Sequence, residues 1–479
     1  MHRLLFLLLT GCSTTCPPGS ALNEEDGLCY LLGAHDTGES STDTTPATPV
    51  SAQNISAVVS EHIRTVVTVT WDTETATTGY LEFGETDSYG MTSPLTDAGT
   101  AHSALMLGLW ADTTFHFRVV TVAEDGTETA SADQTITTGS LPVEVPELTT
   151  MGTATWDGFL FAPFQGINYL AVAIDNHGRV VWYKVIDSDT HHIMRAEPMF
   201  NGEGVAICMA GQDSQGNKED GYVLMVSMDG SSEVEIATPY IDHDMTLMPD
   251  NTISGIVLKE SDTYVGTADS IQEITHDSEM VEIFDVWDHM DSLTDTPPET
   301  RSEGDENSVW NWSHANALDY DAAEETYYMA LKELHTMVRV DRNTGEMMWA
   351  FGGQGNQYTW VNGTDPLTMH HQFHAYEDGR IVVFENGAPE RGYSMVREFV
   401  IDEDNLTAEE VWSYVREPSV YVYAKGDVER LTNGNTLVTW SSSGEIQEVT
   451  PDGAVQWQVN TELGAAITFV TRTESLYDR

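Results

Sequence analysis

The sequence predicts an all-β protein in which a six-bladed β-propeller at residues 141–479 follows a small β-sandwich at residues 51–140. The propeller is predicted because two kinds of hairpin turn alternate along the second segment, with a period of about 55 residues. The sandwich is predicted because the first segment carries short alternating apolar and polar runs between turn residues. No segment has the pattern of a substantial helix.

The two kinds of turn define the blades. The first kind is acidic, and its copies are Asp175-Asn176-His177-Gly178, Met228-Asp229-Gly230, His276-Asp277-Ser278, Asp341-Arg342-Asn343-Thr344-Gly345, Ile401-Asp402-Glu403-Asp404 and Pro451-Asp452-Gly453. The second kind lies between them, at Phe200-Asn201-Gly202, Pro249-Asp250-Asn251, Tyr320-Asp321-Ala322, Glu377-Asp378-Gly379 and Thr432-Asn433-Gly434-Asn435. Asp, Asn and Gly favour tight turns, so two hairpins per repeat predict one four-stranded blade.

The segment 51–140 has the size of one small β-sandwich. The stretch from Leu107 to Phe115 resembles the corner and paired strand of fibronectin type III modules. We therefore expect a fibronectin type III-like module that acts as a spacer. Trp71 and Trp110 are predicted to lie in its core.

The first residues have the pattern of a targeting segment. Arg3 precedes the apolar run 4–9, which is too short to span a membrane and is typical of a signal peptide at residues 1–11. The following Thr10-Gly11-Cys12 resembles the bacterial lipobox, which implies cleavage before Cys12 and a lipid on its sulfur. Ser13 resembles the residue found in lipoproteins sent to the outer membrane. An ordinary secretory signal is the alternative.

Residues 12–50 are predicted to tether the protein to the bacterial cell envelope. Cys16 and Cys29 bracket a small polar loop and are expected to form a disulfide in an oxidising compartment. Residues 33–50 are rich in Ser, Thr, Asp and Pro and are predicted to be a flexible linker. Cys208 lies in an apolar run and is expected to be a buried free thiol.

The charge of the chain restricts its partners. Seventy-seven acidic residues against 20 basic ones give a formal net charge of −57, which excludes nucleic acid and anionic lipid surfaces as partners. Because cations are so few, a Lys or Arg close to a histidine cluster is informative about function.

Histidines recur at related positions of successive blades. The innermost strand of each blade begins beside the central channel, a few residues before the second kind of turn. This register predicts that one funnel is lined by Arg195, His243, His314, His374 and Asp427. Three consecutive blades then each contribute a histidine.

These residue types point to a substrate with an anionic group. A neutral imidazole attacks an electrophile when a neighbour fixes its tautomer, and histidine also transfers protons near neutral pH. Other imidazoles, a Lys and an Asn amide stabilise negative charge on the transferring group. Three histidines are also an acceptable zinc set, which is the alternative. The HxxxH spacing of His370 and His374 indicates a metal mainly on a helix, so we predict no metal site and no cofactor.

Several motifs resemble those of bacterial arylsulfate sulfotransferases. Within residues 155–460 they are His314-Ala315-Asn316-Ala317-Leu318-Asp319-Tyr320, Val338-Arg339-Val340-Asp341-Arg342-Asn343-Thr344-Gly345-Glu346, Phe384-Glu385-Asn386-Gly387 and Gly426-Asp427-Val428-Glu429-Arg430-Leu431. The resemblance implies a six-bladed propeller that moves a sulfuryl group from an aryl sulfate to a phenol through a sulfated histidine, without a nucleotide donor.

The resemblance also implies roles for residues. His374 precedes the Phe-Asn-Gly-like segment and is expected to be the nucleophile, with His370 and His371 as alternatives. His243 and His314 are expected to bind the sulfuryl oxygens or to transfer the phenol proton. The predicted substrate-binding residues are Asn316, Lys332 and Arg195.

The sequence departs from the family pattern at two places. Lys332 stands where an arginine is expected, which keeps the charge but loses the bidentate fork. Met395 follows Ser394 where relatives carry Arg, and Arg397 is a possible substitute.

Two other classes of function are alternatives. A non-catalytic propeller could bind a ligand or partner at the cell surface, as many propellers do. A quinone-dependent dehydrogenase is indicated by recurrent Gly and Trp, but such enzymes have eight blades and are longer than this chain. The oligomeric state, the natural donor and the natural acceptor are left open by the sequence.

Overall fold

The structure is a computed structural model that describes residues 20–22, 29–31, 49–166, 168–187, 190–211, 218–300, 311–376, 378–461 and 465–478. It has two compact units, Met1–Thr48 and Pro49–Arg479. In the first unit, β1 (Ser20–Leu22) pairs antiparallel with β2 (Cys29–Leu31). Cys12 and Cys16 lie outside the described residues, as does the side chain of Cys29, so the lipid and the disulfide stay predictions. In the described part of the chain, no helix is long and apolar enough to cross a membrane.

Seven strands form the start of the second unit. They are β3 (Gln53–Val59), β4 (Val67–Gly84), β5 (Met91–Thr92), β6 (Gly99–Met106), β7 (Thr114–Val122), β8 (Glu128–Ala130) and β9 (Gln134–Thr137). The long strand β4 pairs with β3 and β6 through its first half and with β5 and β7 through its second half. Fully buried Trp71, Phe83 and Phe117 pack between these strands. Whether this module belongs to the fibronectin type III class stays a prediction.

Trp110 packs at the edge of this core, with its ring centroid 4.9 Å from that of Phe115. Its indole is only partly buried, and the guanidinium of Arg179 lies 3.4 Å from its ring centroid. Arg179 belongs to the propeller, so this tryptophan serves the contact between the two parts of the unit. Two hydrogen bonds reinforce that contact, from Thr65 Oγ1 to the carbonyl of Val181 (2.7 Å) and from the amide of Leu107 to Tyr477 Oη (3.1 Å).

The remaining strands form six blades around a channel. Blade 1 contains β11 (Phe159–Gln165), β12 (Tyr169–Asp175) and β13 (Val180–Ile186); blade 2 contains β14 (His191–Pro198), β15 (Gly204–Gly211), β16 (Tyr222–Ser227) and β17 (Glu233–Ala237); blade 3 contains β18 (Ile241–Leu247), β19 (Ile253–Glu260), β20 (Thr267–Ile274) and β21 (Met280–Asp285); blade 4 contains β22 (Ala315–Asp321), β23 (Thr326–Leu331), β24 (Thr336–Asp341) and β25 (Met347–Gly352). Blade 5 contains β27 (His370–Ala375), β28 (Arg380–Glu385), β29 (Met395–Asp402) and β30 (Thr407–Tyr414), with β26 (Thr359–Trp360) at its edge; blade 6 contains β31 (Asp427–Arg430), β32 (Thr436–Trp440), β33 (Glu445–Val449) and β34 (Val455–Thr461). The predicted six-bladed propeller is confirmed.

Helices are short in the described residues. The α-helix α1 (Met290–Leu293) and a 3₁₀ turn at Val286–His289 lie in the connection between blades 3 and 4. Two further 3₁₀ turns occupy Pro389–Arg391 and Ser441–Ser443.

Both ends of the propeller segment close the circle. The C-terminal strands β35 (Ala466–Ile467) and β36 (Thr471–Thr473) pair with β11 and supply the innermost strand of blade 1. At the other end, β10 (Leu148–Gly152) pairs with β34 as the outermost strand of blade 6. The two exchanges pair the first and last blades with distant segments and so close the circle.

The repeated turns occupy the predicted places. Counted outward from the channel, each acidic turn connects the third and fourth strands of a blade, and each turn of the second kind connects the innermost strand to its neighbour. Because these four strands run antiparallel in every blade, every innermost strand starts on the same face of the disc. Side chains at those starts therefore surround one mouth of the channel, which we call the entry mouth.

Candidate functional site

The entry mouth collects basic and imidazole side chains from five blades. Blade 2 contributes His192, blade 3 His243, blade 4 His314, blade 5 His371, and the segment before blade 6 contributes Lys425. All five stand at or just before the start of an innermost strand. The prediction that several blades present histidines to one pocket therefore agrees with the structure for His243 and His314.

His243 and His314 form a direct pair. Their ring centroids are 4.6 Å apart and their planes are inclined by 57°. Both residues adopt a left-handed backbone, with φ of 54° for His243 and 48° for His314. Non-glycine residues adopt this conformation at an energetic cost, and such strain concentrates at functional sites. The strained backbone turns both imidazoles toward each other at the mouth.

A buried carboxylate holds His243. Asp242 Oδ2 lies 2.9 Å from His243 Nδ1 and also accepts a hydrogen bond from Lys218 Nζ. Burial would raise the pKa of Asp242, but His243 and Lys218 outweigh it and lower that pKa well below its usual range. The carboxylate is therefore ionised, and its contact with Nδ1 orients the imidazole of His243.

His371 has a fixed tautomer. Its Nδ1 hydrogen-bonds to Asn386 Oδ1. The amide nitrogen of Asn386 donates to the carbonyls of Val422 and Lys425, each at 2.8 Å, so its Oδ1 is an acceptor. His371 Nδ1 must then carry the proton, and the lone pair lies on Nε2, which has no hydrogen-bond partner among the described residues. The ring is thus oriented as a nucleophile.

Burial keeps His314 and His371 neutral. Burial, together with the charges of His243 and Lys332, lowers the pKa of His314 to about 3. Burial also lowers the pKa of His371 well below its usual range, with His243, Lys332 and His314 acting in the same direction. These mutual effects require that the four cationic or imidazole groups lie close together.

A second buried carboxylate positions the strand that follows His314. Asp269 accepts hydrogen bonds from Ser313 Oγ (2.5 Å), the amide of Ala315 (2.7 Å) and Asn311 Nδ2 (3.0 Å). Asn311 Oδ1 in turn accepts from the amide of His314 at 2.9 Å. This network fixes the backbone on both sides of His314.

Asn316 supports the site from behind. It is fully buried, and its Nδ2 donates to the carbonyl of His370 at 2.9 Å. The predicted direct hydrogen bond from Asn316 to substrate does not fit this placement, because the side chain is fully buried and its amide group donates to the strand that carries His371. Asn316 therefore joins blade 4 to blade 5 beneath His371.

The structure does not bring His374 to this cluster. His374 lies three residues beyond His371 on β27, roughly 10 Å along the strand. Its ring stacks on Tyr376 at 4.4 Å between centroids, and it lines a cavity of about 190 Å³ with Asp319 and Glu429. That cavity is at the opposite mouth of the channel. The expectation that His374 shares a pocket with His243 and His314 is wrong.

A constant spacing in the sequence would have selected His371. His243 and His314 each lie seven residues before the Asp of the next turn, since 250 − 243 = 7 and 321 − 314 = 7. Seven residues before Asp378 is His371. The alternative, His370, is fully buried, and neither ring nitrogen has a hydrogen-bond partner or solvent access.

Arg195 also lies away from the cluster. It is three residues beyond His192 on β14, in the middle of the channel, beside the carboxylates of Glu197 (3.3 Å) and Asp244 (3.8 Å). Gln372, in blade 5, donates a hydrogen bond to Asp244, in blade 3. Arg195 also lines the cavity of about 190 Å³ that His374 and Asp427 line, so its predicted substrate-binding role stays a prediction.

Lys332 lies where the prediction placed it. Its amide donates to the carbonyl of His314 at 3.1 Å, and its charge acts on both His314 and His371. Arg397 is not a substitute for a missing arginine, because it is buried and paired with Glu385 (2.9 Å) and Glu410 (2.7 Å).

Sequence reasoning missed two lysines. The chain has five lysines, Lys184, Lys218, Lys259, Lys332 and Lys425. Three of them, Lys218, Lys332 and Lys425, come to the entry mouth from blades 2, 4 and 6. No local motif marks Lys218 or Lys425, and their convergence depends on the closed circle of blades.

A cavity of about 870 Å³ has a partly aromatic and aliphatic lining, which Glu299, Glu333 and Gln354 complete. Its lining includes Trp312, Leu334, Leu367 and Pro298, and it also includes His335 of the loop that carries Lys332. Trp312 precedes His314 by two residues. Aromatic and aliphatic walls beside a polar cluster are typical of sites for aromatic ligands.

Metal ligation is a further chemical possibility for histidines. Among the described residues, no group of three or more His, Cys, Asp or Glu side chains is arranged to hold a metal ion. Cys208, predicted to be a buried thiol, is free and fully buried in blade 2.

The fold and site define a β-propeller protein with an imidazole- and lysine-rich pocket at one mouth of its channel. Residues 159–469 match the arylsulfotransferase (ASST) family. The chain belongs to this family. Comparison with curated proteins gives no match.

Solved structures of other proteins align with the chain at low identity. The nidogen/laminin complex is 9% identical over 67% of this chain and 100% of that chain, with a TM-score of 0.42. Virginiamycin B lyase from Staphylococcus aureus is 9% identical over 68% and 99%, with a TM-score of 0.38. A putative 6-phosphogluconolactonase from Bacteroides fragilis is 12% identical over 83% and 98%, with a TM-score of 0.36.

Proposed function

We propose that this protein transfers a sulfuryl group from an aryl sulfate to a phenol through a sulfated His371. Membership of the arylsulfotransferase family supports the activity. The observation that carries the mechanism is the hydrogen bond between His371 and Asn386, which leaves a lone pair on Nε2 beside His243 and His314. The cavity beside Trp312 fits the aromatic part of the substrates.

The first half-reaction forms the intermediate. The Nε2 lone pair of His371 attacks sulfur, a nitrogen–sulfur bond forms, and the bond from sulfur to the aryl oxygen breaks. Protonated His243, stabilised by Asp242, gives its proton to the departing phenolate oxygen. His314 and Lys332 bind the sulfuryl oxygens. The proton on Nδ1 of His371 stays on its hydrogen bond to Asn386.

The second half-reaction regenerates the protein. The acceptor phenol gives its proton to His243 while its oxygen attacks sulfur. The nitrogen–sulfur bond breaks, and its electron pair returns to Nε2 of His371. His243 thus acts as the acid in the first step and as the base in the second. This alternation is the pattern of ping-pong transfer.

Transfer is tested by mixing the protein with 4-nitrophenyl sulfate, with and without phenol. We expect 4-nitrophenol release that depends on phenol, together with one equivalent of phenyl sulfate per turnover. Release without phenyl sulfate would indicate hydrolysis instead. No release from several aryl sulfates would favour a non-catalytic binding propeller.

The rate should be insensitive to mild acid. The pKa of His371 lies well below the usual 6.5 because the ring is buried, so Nε2 keeps its lone pair as the pH falls through 6.5. For 4-nitrophenyl sulfate, whose leaving group needs little protonation, we expect kcat/KM to change less than about twofold between pH 7.5 and 5.5. An ordinary histidine would lose roughly tenfold over that range. A pH profile with an acid limb near 6.5 would contradict the assignment.

Asn386 acts as a positioning residue for His371. Asn386→Ala should lower kcat/KM by roughly 10–100-fold, because the tautomer is no longer fixed. Asn386→Asp keeps an oxygen acceptor but places a negative charge beside Nδ1 of His371. This charge should raise the pKa of His371 and move the acid limb of the pH profile to higher pH. A merely structural role would lower the rate of Asn386→Asp without moving the profile.

A further inference from the structure

Ser394 lies beside Asn386 at the end of blade 5. It is fully buried and directly precedes β29. Its amide donates to the carbonyl of Val420 (2.8 Å), and its hydroxyl oxygen accepts from the amide of Val422 (2.9 Å). The hydroxyl also lies within hydrogen-bond distance of two carbonyls, those of Asn386 (3.1 Å) and Val422 (3.2 Å). One serine therefore joins the end of blade 5 to the segment before blade 6.

The segment 420–426 has no helix or strand of its own. Ser394 and the side-chain amide of Asn386 attach it to blade 5, since that amide donates to the carbonyls of Val422 and Lys425, each at 2.8 Å. The carbonyl of Val422 is shared, because it accepts from both Asn386 and Ser394. These contacts hold the carbonyl against the amide group of Asn386.

The orientation of this amide group decides the tautomer of His371. In the structure, its nitrogen meets two carbonyls and its oxygen meets His371 Nδ1. Half a turn of the amide would exchange oxygen and nitrogen, so that the oxygen would face the two carbonyls and the nitrogen would donate to Nδ1. The proton of His371 would then move to Nε2, and the lone pair needed for attack would be lost.

We propose that Ser394 is a positioning residue, which keeps the proton of His371 on Nδ1 by holding the Val422 carbonyl against the Asn386 amide. The turned amide is costly only while this carbonyl stays in place, because a buried oxygen that faces another oxygen lacks a donor. Ser394 also holds the backbone carbonyl of Asn386, so both partners of the contact depend on the same hydroxyl. The consequence for catalysis rests on the proposed transfer through His371.

The tautomer is measured by ¹⁵N NMR of the full chain labelled in its histidine side chains. A ring nitrogen that carries hydrogen and one that carries a lone pair resonate in separate regions of the spectrum. Burial lowers the pKa of His371 well below its usual range, so the ring is neutral at neutral pH and the spectrum reports its tautomer. The His371 signals are those that disappear in His371→Gln. We expect hydrogen on Nδ1 in the parent protein, and a large shift of population to the Nε2 tautomer in Ser394→Ala.

Ser254→Ala is the matched control. It also removes the hydroxyl of a fully buried serine, whose partner is Tyr327 Oη at 2.6 Å, and it should leave the tautomer of His371 unchanged. Ser394→Cys keeps a side chain of similar size with a weaker donor, so it should shift the tautomer in the same direction but less. An unchanged His371 spectrum in Ser394→Ala, or in Ser394→Cys where the alanine variant does not fold, would overturn the inference.

The rate of transfer gives a second measurement. Ser394→Ala should lower kcat/KM roughly tenfold, about the effect of one lost hydrogen bond. A lower rate with an unchanged tautomer would show a merely structural role and would also overturn the inference.

The role of Ser394 and the transfer function can fail independently. A protein that turns over no aryl sulfate, but changes the tautomer of His371 in Ser394→Ala, would refute the transfer function and retain the role of Ser394. A protein that transfers sulfuryl groups, with the same tautomer in every variant, would retain the function and refute the role of Ser394.

Discussion

Replacement of His371 by alanine is expected to abolish sulfuryl transfer. Without the Nε2 lone pair the covalent intermediate cannot form, and we expect kcat/KM to fall on the order of 10⁴-fold, as for other covalent nucleophiles. The measurement is the initial rate of phenol-dependent release from 4-nitrophenyl sulfate. The variant should keep the fold, because the lost hydrogen bond to Asn386 is local.

His374→Ala is the matched control. It removes the same side chain three residues away on the same strand, from the opposite mouth of the channel. We expect its kcat/KM to stay within about threefold of the parent protein, as for a residue outside the reacting centre. If His374→Ala lost activity and His371→Ala kept it, the assignment of the nucleophile would be reversed.

Replacement of His243 should have an effect that depends on the leaving group. General acid catalysis by a positioned side chain contributes roughly 10²–10⁴-fold. For phenyl sulfate, a poor leaving group, we expect His243→Ala to lower kcat/KM on the order of 10³-fold. For 4-nitrophenyl sulfate, whose phenolate departs unaided, the loss should be only about tenfold. A plot of log kcat/KM against leaving-group pKa should therefore become steeper.

His276→Ala controls for loss of an imidazole elsewhere in blade 3. His276 lies in the acidic turn between β20 and β21, where its Nε2 contacts the carbonyl of Asn251 at 3.1 Å. Its removal should leave the slope of the leaving-group plot unchanged. An equal loss for all leaving groups in His243→Ala would show that His243 binds the sulfuryl group and does not transfer the proton.

The fold could be predicted because its turns are local. Asp, Asn and Gly mark both hairpins of a blade, and the two kinds of turn alternate along the whole segment. The closing strands β10 and β36 could not be predicted, since their partners lie more than 300 residues away in the chain. Such exchanges depend on the closed circle and leave no local pattern.

The site could be predicted in part. His243 and His314 follow from their spacing to the next turn, and Lys332 follows from its motif. The innermost strands of blades 2 to 5 all carry a register shift near their start, so this irregularity repeats from blade to blade. The choice of His374 failed for a different reason, because it lies four residues before the Asp of the next turn, whereas His243 and His314 lie seven residues before theirs.

The remaining contacts are tertiary. Asp269 reaches the segment before β22 from a neighbouring blade, and Gln372 in blade 5 reaches Asp244 in blade 3. Neither pairing has a sequence signature. The tautomer of His371 is likewise set by a contact distant in sequence, its hydrogen bond to Asn386 at the end of β28. It also depends on the carbonyl of Val422, to which the amide of Asn386 donates.

The most direct test of the account is to detect the covalent intermediate and to locate it. The protein is incubated with 4-nitrophenyl sulfate without acceptor, digested at alkaline pH to preserve a nitrogen–sulfur bond, and analysed by peptide mass spectrometry with fragmentation. The account predicts one added sulfuryl group on His371, which phenol removes before digestion. A sulfuryl group on His374, His314 or His243, or turnover with no labelled histidine, would contradict it.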